Sequence, residues 1–251
     1  MPSSITTDVA IIGAGTAGLT AFSELRRLGL SAVLIDHGPL GTTCARVGCM
    51  PSKAALHAGH QWANLRALLK EAAAPAGSAS PDDLWSDARR TRGLLAGNTA
   101  KRTREVAGDR LLTGTARFTG PNTVDVNGQP IHARAFIVAT GSRPVVPQAL
   151  AALGDRLLTT DSLFDLDTLP RSVGMLGLGA IGLEMGLALS RLGVRLVAGD
   201  MKALPAGITD PKIGARAIEH FSGEITMWLG RPVEATARQQ SIELRSGDAV
   251  E

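Results

Sequence analysis

The stretch DVAIIGAGTAGL, residues 8–19, decides the fold, because an apolar β-branched run leads straight into a glycine-rich turn. The pattern predicts a strand ending at Ile12 and, after the turn, a helix over residues 19–28. A second apolar run, residues 31–35, predicts another strand that ends at Asp36. Strand, G-x-G-x-x-G turn, helix, strand and acidic residue together form the setting in which this fingerprint binds a dinucleotide.

Each residue of this fingerprint has its own physical task. Gly13 permits the tight turn, Gly15 lets the backbone approach a pyrophosphate, and Gly18 lets helix and strand pack closely. The phosphates then meet N–H groups at the helix start that have no partner inside the helix. Asp36 stands at the end of the second strand and is expected to accept hydrogen bonds from a ribose.

The same unit returns later in the chain, at GLGAIG. Six positions of the first fingerprint recur at one constant offset, as Gly177, Gly179, Gly182, Leu192, Gly193 and Asp200. Two dinucleotide folds in one chain imply two dinucleotides, or a hydride donor and a flavin. The acidic Asp200 favours NAD over NADP, because a carboxylate repels the 2′-phosphate. The alternative is a duplicated scaffold that kept its shape and lost its ligand.

Two cysteines, Cys44 and Cys49, are the only ones in the chain and lie shortly after the first fingerprint. A structural bridge over so short a loop would contribute only ~2 kcal/mol, so the pair suggests a disulfide that is made and broken in turnover. Residues five apart on a regular helix have Cα atoms about 8.6 Å apart, beyond the ~7 Å that a bridge tolerates. A bridge therefore requires the regular helix to begin near Cys49. The alternative is a pair of unconnected reduced thiols.

Composition excludes several classes of function. The net charge is only +3, from 26 basic and 23 acidic residues, and aromatic residues are scarce, so we expect no nucleic-acid partner. One basic cluster is expected to be a solvated helix face; it comprises Arg89, Arg90, Arg92, Lys101, Arg102 and Arg104. No signal peptide and no run of ~20 apolar residues is visible. We therefore expect a soluble cytoplasmic protein without a membrane partner.

The segment between the two fingerprints predicts a helical pair followed by strands. Helices are expected over residues 54–73 and 82–106, with a mobile Ala-, Pro-, Gly- and Ser-rich connector at 74–81. Short antiparallel strands are expected at residues 111–118, 123–126 and 131–135, with a hairpin turn at Asn127-Gly128. A buried strand at 135–138 then leads to a second backbone approach to the nucleotide, at residues 139–142.

With these motifs in view, the chain resembles the flavin-dependent pyridine nucleotide–disulfide oxidoreductases, most closely the dihydrolipoamide dehydrogenase type. The resemblance is carried by four motifs in the family's order: Gly13–Gly18, CARVGCMPSK at 44–53, ATGSRP at 139–144 and GLGAIGLE at 177–184. It implies an α/β fold with two Rossmann-like dinucleotide-binding domains. The first, for FAD, would span residues 1–148. The second, for NAD, would span residues 149–251 and be incomplete.

The resemblance also implies roles for individual residues. Cys49 would be the thiol nearest the flavin, and Cys44 would exchange with the substrate disulfide. Lys53 would lie near flavin N5, paired with Glu184. FAD would be bound by Gly13, Gly15, Gly18, Asp36, Ala116, Thr140, Gly141 and Ser142. NAD would be bound by Gly177, Gly179, Gly182 and Asp200. The expected partner is a small-molecule or lipoyl-type disulfide.

The chain departs from the family pattern in two respects. Gly41-Thr42-Thr43 stands where the family usually has Gly-Gly-Thr, which is expected to loosen binding of the FAD phosphates slightly. Family members are also about twice as long and form homodimers. We therefore expect a truncated form, without the dimerisation domain and its His–Glu acid–base pair. None of the five histidines is carried over to that role. His57 and His60 have i, i+3 spacing, but no further metal ligands are in view, so no metal site is predicted.

Three functions remain open at this stage. The first is an NAD-linked flavoprotein disulfide oxidoreductase that needs further residues for full activity. The second is a catalytically inactive protein that keeps the flavin and nucleotide folds. The third is an enzyme similar to mercuric reductase.

Overall fold

A computed structural model describes residues 3–73, 79–239 and 241–251. The chain divides into two compact units, and each is described separately. The first comprises the described residues of Met1–Met50 and Arg92–Arg143, and the second those of Pro51–Thr91 and Pro144–Glu251. Two long helices, α3 (Cys49–Glu71) and α4 (Pro81–Ala107), contribute residues to both units.

The first unit contains a sheet built around a parallel core. Its strands are β1 (Ile5–Ile12), β2 (Ala32–Asp36), β3 (Leu111–Thr113), β4 (Ala116–Gly120), β5 (Thr123–Val126) and β6 (Gln129–Val138). They lie in the order β3-β2-β1-β6-β5-β4. β1 pairs in parallel with β2 and β6, β2 pairs in parallel with β3, and β4, β5 and β6 pair antiparallel. The carboxyl ends of β3, β2, β1 and β6 therefore meet at one edge.

The apolar runs of β1 and β2 are continuous because both faces of this sheet are covered. Ile11 and Leu34 pack with Phe22 of helix α1 (Thr16–Arg27) on one face. Val33 and Ile131 belong to the cluster on the other face. Strands that are buried on both sides are apolar throughout rather than alternating, as the sequence shows here.

The strand predictions for this unit needed correction. Residues 111–118 form two strands, not one, and β3 pairs in parallel with β2 instead of joining an antiparallel hairpin. The strands predicted at 131–135 and 135–138 are one strand, β6. Its end is not buried. Val138 is 66 % exposed, because it pairs with Ile12 at the edge where both strands end and a turn follows.

The hairpin turn at Asn127-Gly128 is confirmed. Both residues have positive φ, 55° at Asn127 and 83° at Gly128, as the tightest hairpin turns require. The Asn127 side chain also donates a hydrogen bond of 2.9 Å to the Thr113 carbonyl. The turn thereby links the β5–β6 hairpin to the end of β3.

The second unit contains two small sheets and most of the helices. The parallel strands β7 (Ser172–Leu176), β8 (Arg195–Asp200) and β9 (Thr226–Leu229) form one sheet in that order. β10 (Glu234–Ala237), β11 (Ile242–Ser246) and β12 (Ala249–Val250) form an antiparallel sheet. The helices, besides most of α3 and part of α4, are α5 (Thr160–Leu163), α6 (Ala180–Arg191) and α7 (Pro211–Phe221).

A helical core in this unit fixes α3 against α6. Gly59 of α3 lies so close that a Cβ built on it would come within 2.9 Å of the Ala188 carbonyl oxygen. Trp85 of α4 is fully buried, stacks on Phe164 at 5.7 Å and donates its indole N–H to the Leu166 carbonyl at 2.9 Å. The position of α3 is therefore determined by close backbone packing on α6.

The two predicted helices are present and slightly longer than expected, as Cys49–Glu71 and Pro81–Ala107. The predicted connector at 74–81 lies largely outside the described residues. The compact units do not follow the predicted boundary after residue 148, because residues 51–73 and 79–91 belong to the same unit as the later part of the chain. A boundary defined by the two ligands stays a prediction.

Neither α3 nor α4, nor any shorter helix within residues 3–73, 79–239 and 241–251, combines the length and apolarity needed to cross a membrane.

Candidate functional site

The first glycine turn is forced by backbone contacts. Gly13 has φ +110°, and its amide donates a hydrogen bond of 2.7 Å to the Ile35 carbonyl. A Cβ on Gly13 would lie 2.2 Å from the Ala139 carbonyl oxygen, and a Cβ on Gly18 would lie 1.8 Å from the Gly13 carbonyl oxygen. Real Cβ atoms do not come so close to other atoms, so this turn requires glycine at positions 13 and 18.

Gly15 differs from the two glycines that flank it. It is the N-cap of α1, with φ −73° and ψ −174°, which any residue can adopt. A Cβ on Gly15 would meet no protein atom within 4 Å. The absence of a side chain therefore leaves open space in front of the helix start, where amides without intrahelical partners can meet an anion.

Asp36 ties the turn to the end of β2. Its Oδ2 accepts a hydrogen bond from the Ala14 amide, and its Oδ1 accepts one from the Gly38 amide, each at 2.6 Å. Each carboxylate oxygen can accept a second hydrogen bond. Asp36 can therefore hold the loop in place and still bind a hydroxyl group.

The remaining residues predicted to bind the first nucleotide lie at the same sheet edge. Thr140, Gly141 and Ser142 are exposed and follow the end of β6, and Gly141 has φ +72°. Ala116 begins β4, two residues after Gly114, whose amide donates to the Asp36 carbonyl at 2.9 Å. A cleft of about 500 Å³ opens beside Asp36, lined by Asp36, Gly38, Pro39, Leu40, Arg104, Gly108, Leu111 and Thr113.

The second glycine turn repeats the first down to individual hydrogen bonds. Gly177 has φ +100°, and a Cβ on Gly182 would lie 2.0 Å from its carbonyl oxygen. Gly179 is the N-cap of α6, and a Cβ there would again meet nothing within 4 Å. Asp200 accepts from the amides of Leu178 at 2.7 Å and Lys202 at 2.8 Å. These two donors occupy the positions of Ala14 and Gly38 in the first turn, at the offset that also relates the glycines.

This equivalence tests whether a dinucleotide fits. In both units, the glycines at the turn are required by the fold, whereas Gly15 and Gly179 face open space. No protein atom requires glycine at those two positions, and the missing side chain leaves the helix start open to a ligand. The residues at both turns therefore fit the pyrophosphate of a dinucleotide.

The two cysteines lie on separate helices. Cys44 belongs to a single turn, α2 (Thr43–Arg46). The side chain of its N-cap, Thr42, accepts a hydrogen bond of 3.2 Å from the Ala45 amide. The chain breaks at Val47 and Gly48, and α3 begins at Cys49. This is the helix start that a bridge between the two residues requires.

The two sulfur atoms are in contact, and both residues are thiols in this structure. A side-chain hydrogen bond to Cys49 raises the pKa of Cys44 above its ordinary value, and burial raises it further. Backbone amides of Cys49 and Met50 donate to the Cys44 sulfur and oppose this rise. The start of α3 therefore points its amides at Cys44, where they stabilise a thiolate once the proton has left.

Gly48 makes this approach possible. A Cβ on Gly48 would lie 3.1 Å from the Thr43 carbonyl oxygen and 3.2 Å from the Cys44 Cα. Any side chain at position 48 would therefore be crowded against the residues around Cys44. Sequence reasoning did not single out Gly48, although it stands directly before the second cysteine.

Lys53 follows Cys49 on α3 by about one turn, and its side chain meets Glu184 of α6. The Lys53 Nζ lies 2.5 Å from the Glu184 Oε1, which also accepts a hydrogen bond of 3.1 Å from the Ser52 hydroxyl. Ser52 is only 7 % exposed. Sequence reasoning missed Ser52, although it lies within the quoted motif. The buried hydroxyl holds the carboxylate that in turn orients Lys53.

A second ion pair strengthens the same helical unit. Arg191 at the end of α6 donates to both oxygens of Glu224, at 2.6 and 2.8 Å, and it also contacts His60. The guanidinium lowers the pKa of Glu224 below its usual range, and the carboxylate raises the pKa of Arg191. His60, an unassigned histidine in the sequence, therefore belongs to a packing contact between α3 and α6.

Comparison with known proteins agrees with this geometry. The family model described as pyridine nucleotide-disulphide oxidoreductase matches residues 7–251. A dihydrolipoyl dehydrogenase from Thermus scotoductus is 34% identical over 80% of this chain and 44% of the relative. A mercuric reductase from Lysinibacillus sphaericus is 28% identical over 97% of this chain and 42% of the relative.

Among solved structures, the Cu(II) complex of the HOCl-induced flavoprotein disulfide reductase RclA from Escherichia coli superimposes with a TM-score of 0.80. The match covers 98% of this chain and 54% of that one at 20% identity, so it supports the fold alone. The chain spans about half the length of these proteins. The chain therefore belongs to the pyridine nucleotide-disulphide oxidoreductase family of FAD-binding flavoproteins.

Proposed function

We propose that this chain passes electrons between NAD(H), FAD and a redox-active disulfide formed by Cys44 and Cys49. One observation carries the proposal. The two sulfur atoms are in contact at the start of the helix whose next turn bears Lys53. Neither unconnected surface thiols nor a structural bridge explains why backbone amides and a thiol partner both meet Cys44 at one helix start.

The residues of the first glycine turn would hold FAD. Gly15 and the start of α1 would meet its pyrophosphate, and Asp36 would accept a hydrogen bond from its ribose. Thr140, Gly141 and Ser142 would approach it from the end of β6. When bound, FAD supplies two-electron chemistry that links a hydride donor to a disulfide.

The cysteines carry the disulfide half of the reaction. Reduction of their S–S bond takes up two electrons and two protons and gives two thiols. Because the pKa of Cys44 is raised, its thiol needs a base before it can attack a substrate disulfide. The resemblance assigns this task to a His–Glu pair outside the present sequence, so this chain alone is expected to turn over slowly.

Lys53 follows Cys49 by about one turn along α3 and carries a positive charge held by an ion pair. Glu184 and Ser52 restrict its side chain, so that the ammonium group does not have to be ordered when negative charge develops nearby. Lys53 is itself 64 % exposed in this structure, and Glu184 is 24 % exposed. The pair is therefore accessible to a ligand.

We propose NAD rather than NADP as the second nucleotide. Asp200 already accepts two backbone amides, and its carboxylate stands at the ribose position of the second turn. A 2′-phosphate at that position would be repelled by the carboxylate. The expected preference is read from NADH and NADPH compared at equal concentration.

The proposed substrate is a small-molecule or lipoyl-type disulfide, because the dihydrolipoyl dehydrogenase relative is the more similar of the two described. Similarity to mercuric reductase over almost the whole chain supports Hg²⁺ as the second candidate. The proposed full-length assembly is a homodimer in the cytoplasm, without nucleic-acid or membrane partners.

Anaerobic spectroscopy tests the redox function. The purified chain should show the visible absorbance of a flavin, and NADH should produce a new long-wavelength band that is absent from Cys49→Ser. A colourless protein, or a flavin that NADH reduces identically in wild type and Cys49→Ser, would support an inactive nucleotide-binding protein instead. Dihydrolipoamide with NAD and Hg²⁺ with NADH then separate the two substrate candidates.

A further inference from the structure

The cysteine segment is anchored on helix α4 at two points. A Cβ on Gly41, which has φ +117°, would lie 2.9 Å from the Ala96 carbonyl oxygen of α4. One turn earlier on α4, the Arg92 Nε donates a hydrogen bond of 2.6 Å to the Arg46 carbonyl. The segment before and between the cysteines is therefore fixed on a long helix and not only by its own turns.

The hydrogen bond to the Arg46 carbonyl holds α2 at its C-terminal end. Arg46 is the last residue of α2, immediately before the break at Val47 and Gly48 that separates the cysteines. Carbonyl groups in the last turn of a helix have no intrahelical partner. A half-buried guanidinium supplies that partner here, and a bond from a charged donor is roughly twice as strong as one between neutral groups.

The position of α2 determines how close Cys44 comes to Cys49. A disulfide forms only when the two Cα atoms are within ~7 Å. In the reduced state no covalent bond holds the sulfurs together, and a free α2 could swing away from the start of α3. Any restraint on α2 therefore raises the effective concentration of one thiol at the other.

We propose that Arg92 is a positioning residue that holds α2 so that the reduced Cys44–Cys49 pair is ready to close into a disulfide. This inference rests on the proposed function of the pair. Arg92 would then influence the thiol–disulfide equilibrium of the pair, although it lies outside the family motifs quoted above. The sequence predicted only that Arg92 belongs to a solvated helix face.

Thiol–disulfide equilibration tests the proposal without relying on turnover. The reduced chain is incubated anaerobically with mixtures of oxidised and reduced glutathione. The two protein thiols give up two electrons and two protons to glutathione disulfide, which becomes two glutathione thiols. Acid quenching and maleimide labelling then count the remaining protein thiols, and the equilibrium constant follows from the glutathione ratio at half-oxidation.

Arg92→Met should lower this equilibrium constant about tenfold, which makes the pair about 30 mV less reducing. Arg92→Lys keeps a cation but loses the planar donor, and should lower it about threefold. Arg102→Met is the matched control, because Arg102 is an exposed arginine on the same helix. It should leave the constant unchanged. Thermal unfolding of all three variants is measured alongside.

The outcomes separate the two hypotheses. If the wild-type thiols do not close into an intramolecular disulfide, the proposed function fails. If wild type closes and Arg92→Met matches Arg102→Met, or loses thermal stability without a change in the constant, the positioning role is wrong. If Arg92→Met fails to fold, the test relies on Arg92→Lys. An equilibrium constant for Arg92→Lys equal to that of wild type would overturn the inference.

Discussion

Replacing Gly15 or Gly179 by alanine should weaken the binding of one nucleotide each and leave the fold intact. Both residues are N-caps with φ near −70°, and a Cβ at either would meet no protein atom within 4 Å. Alanine adopts this conformation without strain. It would, however, place a methyl group in the open space before the helix start. Gly15→Ala should therefore weaken FAD binding, and Gly179→Ala should weaken NAD binding while the flavin remains.

The magnitudes follow from the contacts. A hydrogen bond from a backbone amide to a charged phosphate oxygen contributes about 1.5–3 kcal/mol. A methyl group that keeps the phosphate away from one such amide weakens binding by roughly ten- to 150-fold. Folding stability should change little. Alanine is a poorer N-cap than glycine by some tenths of a kcal/mol, and the less flexible unfolded chain offsets this by about 0.4–1 kcal/mol.

Folding stability and nucleotide binding are measured on the same preparations of each variant. Thermal unfolding of the flavin-free protein should place both variants within ~1 kcal/mol of wild type. Flavin retention after gel filtration and fluorescence titration with NADH should then separate them. The reasoning would be refuted if Gly15→Ala kept FAD as tightly as wild type, if Gly179→Ala bound NADH normally, or if either variant unfolded at a much lower temperature.

Three further predictions concern other parts of the structure. Gly182→Ala should destabilise the fold, because its Cβ would lie 2.0 Å from the Gly177 carbonyl oxygen. We expect the free energy of unfolding to fall by about 2 kcal/mol or more and Tm to fall by several degrees. An unchanged Tm would contradict the geometry. Glu224→Gln should cost about 1 kcal/mol at pH 7, because Arg191 lowers the pKa of Glu224. That contribution is present above about pH 4.3 and lost as the pH falls through the lowered pKa, so the difference in unfolding free energy between wild type and variant, measured in urea, should shrink as the pH is lowered. Cys49→Ala should shift the alkylation of Cys44 by iodoacetamide to lower pH, because the Cys49 thiol is the main cause of the raised Cys44 pKa; an unshifted pH profile would show that the contact does not govern Cys44.

The nucleotide turns could be predicted from the sequence because every interaction that defines them is local or repeated. Glycine spacing alone places the turn, the helix start and the acidic residue, and the constant offset between the two fingerprints supplies an independent check. The structure adds that Asp36 and Asp200 each accept two backbone amides. The helix start at Cys49 was also predictable, because the limit on Cα separation leaves a bridged pair no regular helix.

Contacts between residues far apart in sequence were not predictable. The Ser52 hydroxyl reaches Glu184 across 132 residues, and Arg92 reaches Arg46 across 46. Such pairs depend on how helices pack, which hydrophobic periodicity does not specify. Strand β3 shows the same limit. It precedes a hairpin and looks like part of it, but it pairs with β2, which comes before both long helices in the chain.

The most direct test of the central claim counts protein thiols during reduction by NADH. The oxidised, flavin-loaded chain is mixed anaerobically with one equivalent of NADH, quenched in acid and labelled with a maleimide. We predict that two thiols per chain, identified as Cys44 and Cys49 by peptide mapping, appear as NADH is consumed. Consumption of NADH with no labelled thiol, or with equal labelling before and after its addition, would contradict the account.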